Sequence, residues 1–277
     1  MHVLVETVHP ADVLFFRRPM AMLAARGHRV SVVSRRKDVT CALLDRFGVE
    51  HTPISTQGRG LAGLALELLL RDARLLARVR RDRPDVMLGF GGVAIAHVGR
   101  LTGVPSLVVY DSENARLQTR LAWPVLTRLV VPEDYAGPVP DGRTERLPGI
   151  KELSYFHPST FRPDRAEAVA LGLDPERANV FLRTVRWGAN HDLGKTGWSA
   201  ETAADLVAAL APHAALHVSA ETEPPAALRP YLWRGDPDRV HHLLGCCDAY
   251  VGESATMACE AAVMGVPALY AGVDLPA

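Results

Sequence analysis

The sequence has no excess of charge of either sign. Lysine and arginine together number 31, as do aspartate and glutamate, so the formal net charge of the 277-residue chain is zero. Proteins that bind nucleic acids carry a basic field over a face or a whole domain. We therefore expect no nucleic-acid partner, and a small or neutral partner instead.

Cysteines and long hydrophobic runs are also scarce. The four cysteines include no C-x-x-C pair, which argues against both a disulfide framework and a zinc site. The stretch MHVLVETVHP at the amino terminus lacks the basic and long apolar parts of a signal peptide. The longest apolar run, 61–70, contains Glu67 and is far shorter than the roughly 20 residues of a membrane span. These absences predict a cytoplasmic protein without a transmembrane helix.

Two nucleotide-binding motifs and a metal motif are missing. The first predicted strand-to-helix loop, ETVHPAD, contains no glycine, which argues against the G-x-G-x-x-G fingerprint of NAD-dependent dehydrogenases. The Gly-Lys-Thr at 194–196 lacks the upstream glycine of a phosphate-binding P-loop. His241 and His242 are adjacent and have no second ligand pair at helical spacing. We expect no metal and no cofactor.

Short apolar runs alternate with helical patterns along the chain, as in parallel sheets built from βα units. In the first half, the predicted strands cover 2–7, 29–34, 49–54, 85–90, 106–111, 128–132 and 144–148. In the second half, they cover 179–185, 215–220, 248–252 and 267–271. Prolines and glycines concentrate between Pro138 and Pro163 and break the pattern. The sequence predicts an α/β protein with two Rossmann-like parallel-sheet domains, 1–149 and 163–277, joined by a linker over 150–162.

Such domains bind ligands at the carboxyl ends of their strands, here in an interdomain cleft. In the second domain a strand ends at Gly252, and Ser254, Ala255 and Thr256 begin the next helix. A helix start favours a phosphate, and small side chains let a diphosphate approach. Glu260 follows about 6 Å farther along the helix, at a distance that suits the hydroxyls of a ribose. The alternative is an ordinary Ser254 N-cap, with Glu260 solvated or paired with an arginine.

A loop after another strand of the second domain gathers positive charge. The segment 183–199 contains Arg183, Arg186, Trp187, His191 and Lys195. These side chains could neutralise a diphosphate or stack on a base. A solvated surface loop is the alternative.

Two strand ends of the first domain carry candidate catalytic residues. His9 follows the first strand, and histidine is the residue type best suited to moving a proton at neutral pH. Asp111 and Glu113 follow the fifth strand and offer carboxylates to a proton or a sugar hydroxyl. Each candidate also has a purely structural alternative. His9 could be a loop residue without a chemical role, with Asp12 as the N-cap of the helix that follows it, and Asp111 could be the N-cap of the helix after the fifth strand.

The helix predicted from Leu61 to Arg83 is amphipathic. One broad face holds Leu61, Leu64, Leu68, Leu75, Leu76 and Val79, and the side largely opposite holds Arg71, Arg74, Arg78 and Arg81. A basic amphipathic helix can lie on an anionic membrane, but such a face more often packs on its own sheet. Two expectations therefore stay open: the helix packs on its own sheet, or it makes peripheral contact with the inner face of the membrane.

Two blocks of the sequence resemble a known enzyme superfamily. The run PDVMLGFGGVAIAHVGRLTGVPSLVVYDSEN (84–114) resembles the strand, glycine turn and strand of the GT-B glycosyltransferase that adds N-acetylglucosamine to the lipid-linked peptidoglycan precursor. The run CDAYVGESATMACEAAVMGVPALYAG (247–272) resembles the nucleotide-binding turn and helix of that family. Related patterns occur in non-hydrolysing UDP-N-acetylglucosamine 2-epimerases. HPADVLFF (9–16), DSENARLQTRLAWPVL (111–126) and PGIKELSYFHP (148–158) are similar to an uncharacterised archaeal and bacterial GT-B-like branch.

The resemblance implies a glycosyltransferase that moves a sugar from a nucleotide-diphosphate donor, with UDP as the nucleotide, to a glycan or lipid-linked acceptor. It implies that Glu260 holds the ribose and that Ser254, Ala255 and Thr256 face the diphosphate. The helix dipole and Arg183 could then stabilise the leaving diphosphate without a metal. In this interpretation His9, Asp111 or Glu113 acts on the acceptor, whose side of the site includes Gly91, Gly92 and Asn114.

Three departures from that family keep two alternatives open. ETVHPAD replaces a glycine-rich first loop, Ser254-Ala255 stands where relatives often have glycines, and the chain stops at Ala277, so that the second domain looks shortened. The alternatives are a sugar-nucleotide 2-epimerase and a non-catalytic nucleotide-sugar-binding protein. An epimerase needs an acid and a base on opposite sides of C2, and this chain lacks the arginine-and-glutamate first loop typical of those enzymes.

Overall fold

The computed structural model describes residues 1–113, 116–185 and 197–272. The chain divides into two compact units, the first from Met1 to Tyr155 and the second from Phe156 onward. The division falls inside the 150–162 segment for which the sequence predicts a linker. Each unit is an α/β layer structure with its own core.

The first unit contains a seven-stranded parallel sheet. Its elements are β1 His2–Thr7, α1 Pro10–Ala25, β2 Arg29–Arg36, α2 Thr40–Arg46, β3 His51–Thr56, α3 Gly60–Asp82, β4 Val86–Phe90, α4 Val93–Thr102, β5 Ser106–Val109, α5 Arg116–Ala122, β6 Arg128–Pro132 and β7 Thr144–Leu147. A short helix, α6 Leu153–Phe156, ends at the boundary. The strand order is β3-β2-β1-β4-β5-β6-β7, and all pairs are parallel. The order reverses between β1 and β4, so the loops after these strands diverge and leave a crevice at their carboxyl ends.

Helices cover both faces of this sheet, which explains why its central strands read as unbroken apolar runs. Successive side chains of a strand point to opposite faces. Val3 and Val5 pack with Phe16 of α1 on one face, and Leu4 packs with Leu75 of α3 on the other. Every residue of β1 is buried. The buried position of β1 fixes where the loop after it emerges.

The second unit contains a four-stranded parallel sheet. Its elements are α7 Arg165–Ala170, β8 Ala178–Thr184, α8 Ala200–Leu210, β9 Ala214–Ala220, a 3-10 helix Ala226–Tyr231, α9 Val240–Leu244, β10 Ala249–Gly252, α10 Ala255–Val263 and β11 Ala268–Tyr270. The strand order is β11-β10-β8-β9, again with parallel pairs only. Phe181 and Tyr250 pack under α9 and α10, while Leu182 and Val218 pack on the opposite face.

These two sheets confirm the predicted fold class of two Rossmann-like parallel-sheet domains. The strand predictions agree with the structure to within a few residues at each end. The prediction missed three short helical pieces, α6, α7 and the 3-10 helix. Each lies among prolines, and only Asp164, whose side chain accepts from the amides of Ala166 and Glu167, gives a local start signal.

The long helix α3 departs from the predicted division of its faces. Leu75 and Val79 are buried as expected, but Leu61 is 67% exposed. The arginines on the predicted polar side reach back to the protein: Arg74 donates to the carbonyl of Ile54 at 2.8 Å, and Arg78 donates to Thr52 at 3.2 Å. The exposed surface of the first half of α3 is apolar because its leucines face outward there, while Arg74 and Arg78 of the second half reach toward β3.

Four leucines mark this apolar surface. They are Leu61, Leu66, Leu69 and Leu70, which are 67, 59, 67 and 46% exposed. In the part of the chain that the structure describes, no helix is both long and apolar enough to cross a membrane.

Candidate functional site

The helix α10 begins directly behind the carboxyl end of β10. Ser254 is its N-cap, and the Ser254 hydroxyl accepts from the amide of Met257 at 3.2 Å. Among the described residues, no hydrogen bond uses the amides of Ala255 and Thr256. The helix start therefore presents two amides and the positive end of the helix dipole, which favour an anion.

Glycine is needed at the strand end for packing. A Cβ at Gly252 would lie 2.5 Å from the Tyr250 hydroxyl and 2.8 Å from the Cβ of Arg183. The Tyr250 hydroxyl in turn donates to the carbonyl of Ser254 at 3.0 Å. The tight turn before α10 thus follows from local packing of this unit, with or without a ligand.

Glu260 lies on the buried side of α10. The residue is 5% exposed, and its Oε2 lies 3.1 Å from Nε2 of His241 on α9. Among the contacts that the structure describes, the carboxylate of Glu260 pairs with a histidine, so it is not the solvated carboxylate of the alternative expectation. No sequence pattern indicates His241 as a partner, because it precedes Glu260 by 19 positions and only the packing of the two helices brings them together.

Arg183 already has partners on the neighbouring strand. Its guanidinium donates to the Ser219 hydroxyl and to Oε1 of Glu221, both at 2.6 Å. The positive charge that the sequence assigns to a diphosphate is therefore balanced by a carboxylate. Arg186, Trp187, His191 and Lys195 lie outside the described residues.

Glu253 is a buried carboxylate that the sequence interpretation overlooked. Its Oε2 accepts from the amide of Val185 at 3.1 Å, and its Oε1 accepts from the amide of Trp198 at 2.7 Å. The residue is 4% exposed. Glu253 therefore connects the turn before α10 to two other segments: the residue that follows β8 and the residues that lead into α8. In the sequence, only its position between Gly252 and Ser254 points to a role at this turn. That position does not indicate which amides donate hydrogen bonds to the carboxylate.

At the carboxyl edge of the first unit, Asp111 belongs to a charged cluster. Its Oδ2 lies 2.5 Å from Nζ of Lys151, and its Oδ1 accepts from Ser112 at 2.9 Å. Lys151 also lies 3.1 Å from Oε1 of Glu152. Burial by itself would lower the pKa of Lys151, but the charges of Asp111 and Glu152 outweigh it and raise that pKa. Burial also raises the pKa of Glu152. Lys151 is a further residue that the sequence interpretation did not assign to the site.

The other predicted residues of this edge contact their own chain. Oε1 of Glu113 accepts from the amide of Ala136 at 2.5 Å. Gly91 has a φ of 69°, and a Cβ there would lie 1.8 Å from Nε2 of Gln118. A Cβ at Gly92 would lie 2.8 Å from Cγ2 of Val108. The left-handed backbone at both positions, with a φ of 43° at Gly92, and the close approach of Val108 explain these glycines. Asn114 lies outside the described residues.

His9 and Asp12 form a capping box at the start of α1. His9 is the N-cap, and its Nδ1 accepts from the amide of Ala11 at 3.2 Å. Asp12, at the third helical position, accepts from the amides of Val8 and His9 at 2.8 and 2.9 Å. The expectation that Asp12 is the N-cap is therefore wrong. Desolvation and then the charge of Lys37 lower the pKa of His9. With Nδ1 accepting, the proton of the neutral ring lies on Nε2.

Burial raises the pKa of Asp12 to about 7, although the two backbone amides partly oppose the shift. A carboxyl whose pKa is raised by folding contributes stability below its unfolded pKa near 3.8, and this contribution is lost as the pH rises to about 7. We expect Asp12→Asn to gain stability relative to the wild type as the pH rises through this window. The asparagine oxygen can accept from the same two amides.

Urea denaturation at pH 5, 6, 7 and 8 measures this difference. Asp164→Asn is the matched control, because Asp164 also accepts from two helix amides but is exposed. Parallel pH profiles of wild type and Asp12→Asn would contradict the prediction.

Two parallel α/β units in succession, the second with a helix start at its strand ends, define a two-domain GT-B-type fold. The comparisons with known proteins agree. The UDP-GlcNAc 2-epimerase of Neisseria meningitidis, solved bound to UDP-GlcNAc, matches 98% of this chain and 82% of its own, with a TM-score of 0.68 and 12% identity. The spinosyn rhamnosyltransferase SpnG matches 98% of this chain and 80% of its own, with a TM-score of 0.67 and 16% identity. MurG of Acinetobacter baumannii matches 99% of this chain and 79% of its own, with a TM-score of 0.58 and 17% identity.

Sequence comparisons add one further match. Residues 1–136 match the model of a family described as a protein of unknown function, DUF354. No curated protein matches the chain in sequence. The resemblance to GT-B nucleotide-sugar enzymes is thus confirmed at the level of the fold, and at such low identity it does not define an activity.

Proposed function

We propose that this chain is a GT-B-type glycosyltransferase that takes a sugar from a UDP-linked donor and transfers it to a glycan or lipid-linked acceptor. One observation carries the proposal: the start of α10 presents the amides of Ala255 and Thr256, and the carboxylate of Glu260 follows on the same helix. Amides at a helix start suit a diphosphate, and a carboxylate suits the two hydroxyls of a ribose.

On the donor side, Ser254, Ala255 and Thr256 would hold the diphosphate, and Glu260 the ribose. Arg183 is proposed to stabilise the leaving diphosphate. This role requires its guanidinium to exchange the carboxylate of Glu221 for a phosphate, which is a change of side-chain partners only.

On the acceptor side, we propose Asp111 as the base that takes the proton of the acceptor hydroxyl. Its carboxylate is held by the side chains of Lys151 and Ser112, which can rearrange when a substrate binds. His9 and Glu113 are the alternatives, but backbone amides engage both and fix them in local structure. The proposed acceptor side also includes Gly91, Gly92 and Asn114.

A 2-epimerase is the second candidate, favoured by solved structures of that activity among the similar proteins. Nuclear magnetic resonance of UDP-sugars incubated with the protein separates the candidates. Release of UDP only when a glycan or lipid acceptor is present supports transfer. Inversion at C2 of UDP-GlcNAc without an acceptor supports epimerisation. Binding without turnover supports a non-catalytic binding protein, and no binding of any nucleotide sugar contradicts all three.

We also propose that the exposed leucines of α3 make peripheral contact with an anionic membrane, as a lipid-linked acceptor would require. Exposed leucines in the first half of a helix, with the exposed arginines Arg80 and Arg81 in its last turn, suit the interface of such a membrane. Leu66→Glu/Leu69→Glu is expected to lower binding to vesicles containing phosphatidylglycerol about tenfold or more, since two leucines would leave the lipid.

Co-sedimentation with vesicles measures this binding. Leu101→Glu is the matched control, because Leu101 is also 67% exposed but lies on α4. Equal binding by wild type and the double variant would contradict membrane contact through this helix.

A further inference from the structure

The carboxylate of Glu260 is held by a side chain from a different helix of the second unit. Oε2 of Glu260 lies 3.1 Å from Nε2 of His241, and both side chains are largely buried. Because an ionised carboxylate can only accept, the histidine nitrogen donates this hydrogen bond. The hydrogen bond from His241 therefore helps to set the orientation of the Glu260 carboxylate.

The imidazole that donates this hydrogen bond is itself fixed by packing. Its ring lies 4.4 Å from the ring of Phe156, centre to centre, and Phe156 lies 4.9 Å from Phe161 in an edge contact. Its helix is anchored because Leu243 and Leu244 are fully buried. A rotation of the His241 ring away from Glu260 would therefore break its contact with the ring of Phe156.

We propose that His241 is a positioning residue for ribose recognition: it holds the Glu260 carboxylate in the orientation that receives the ribose hydroxyls of the nucleotide. The inference rests on the proposed function of Glu260. A carboxylate that is oriented before binding pays less conformational entropy when the nucleotide arrives. Loss of the donor is therefore expected to weaken UDP binding about three- to tenfold, and specifically the part of the affinity that depends on the ribose.

The test compares UDP with 2′-deoxy-UDP by isothermal titration calorimetry. The ratio of the two affinities measures recognition of the ribose hydroxyl, which a general loss of stability would not change. His241→Leu keeps an apolar side chain against Phe156 but removes the donor. His241→Gln keeps a donor, since its amide NH2 can reach the same carboxylate. His241→Ala is a second donor-free variant if His241→Leu does not fold.

His242→Ala is the matched control on the same helix. Nδ1 of His242 accepts from the amide of Asp164 at 3.0 Å, and its ring lies 5.2 Å from Phe161. We expect the wild type, His241→Gln and His242→Ala to prefer UDP, and His241→Leu to lose most of this preference, as Glu260→Gln does.

Two outcomes overturn the inference in distinguishable ways. If Glu260→Gln loses the preference for UDP but His241→Leu and His241→Ala keep that of the wild type, His241 has no positioning role and the ribose role of Glu260 stands. If the wild type binds both nucleotides equally, the ribose role of Glu260 fails and the inference with it, while nucleotide binding by this chain stands. If the wild type binds neither nucleotide, the proposed function fails as well.

Discussion

Replacing Glu260 with glutamine is expected to weaken the binding of UDP about ten- to a hundredfold. A ribose hydroxyl donates a stronger hydrogen bond to a carboxylate than to an amide, because the acceptor carries a charge. Glutamine keeps the volume of the side chain, and its oxygen can still accept from His241. Isothermal titration calorimetry with UDP at constant salt measures the change, and it is expected mainly in the dissociation constant of the nucleotide.

Glu201→Gln is the control for this substitution. Glu201 lies in the same unit, on the exposed first turn of α8, and its replacement removes the same charge from the protein. Unchanged UDP affinity in Glu260→Gln together with a lower melting temperature would contradict the ribose role. Glu260 would then be a structural partner of His241, which its 5% exposure also permits.

The stretch around Glu260 shows which features of a site a sequence can predict. The strand end at Gly252 and the start of α10 follow from local signals, namely a buried apolar run, a serine N-cap and small helical residues. The partner of Glu260 does not follow, because contacts between α9 and α10 depend on how two helices pack on one sheet. The two backbone amides that donate to the carboxylate of Glu253 depend on packing in the same way.

At the start of α1, a local signal favours the wrong N-cap. Asp12 precedes an apolar helix, as an N-cap does, but it stands at the third helical position of a capping box that begins at His9. Pro10 at the first helical position is the residue that could have corrected this, since proline is favoured there. Histidine is seldom considered as a cap, although its Nδ1 can accept a hydrogen bond.

In α3, periodicity correctly predicts a long helix with Leu75 and Val79 in the core. It does not predict that a carboxylate on the same helix is buried. In a sequence, Glu67 only interrupts an apolar run. In the structure, it accepts from Nε of Arg35 at 2.6 Å, and also from a terminal nitrogen of Arg35, from Ser55 at 3.0 Å and from the amide of Gly58 at 3.0 Å. Residues of β2, β3 and the following loop thus meet at one side chain.

Glu67→Gln is expected to destabilise the first unit by about 3–5 kcal/mol, because it removes one partner of a buried ion pair and leaves the other uncompensated. Burial would raise the pKa of Glu67, but the hydrogen bonds from Arg35 and Gly58 outweigh it and lower that pKa, so the charged form is the one that folding selects. A glutamine oxygen can accept from some of these donors, while its NH2 group would face the remaining ones. Urea denaturation followed by circular dichroism measures the loss.

The exposed pair of Glu167 and Arg239 is the control for Glu67→Gln. These side chains are 2.6 Å apart, as in the buried pair, but both are much more exposed, so Glu167→Gln is expected to cost little. Glu67→Leu/Arg35→Met adds a second test, since removing both charges should recover part of the stability that Glu67→Gln loses. If Glu67→Gln costs no more than Glu167→Gln, the buried network does not hold α3 against β2 and β3. Apolar packing of Leu75 and Val79 would then suffice to anchor the helix that presents the exposed leucines.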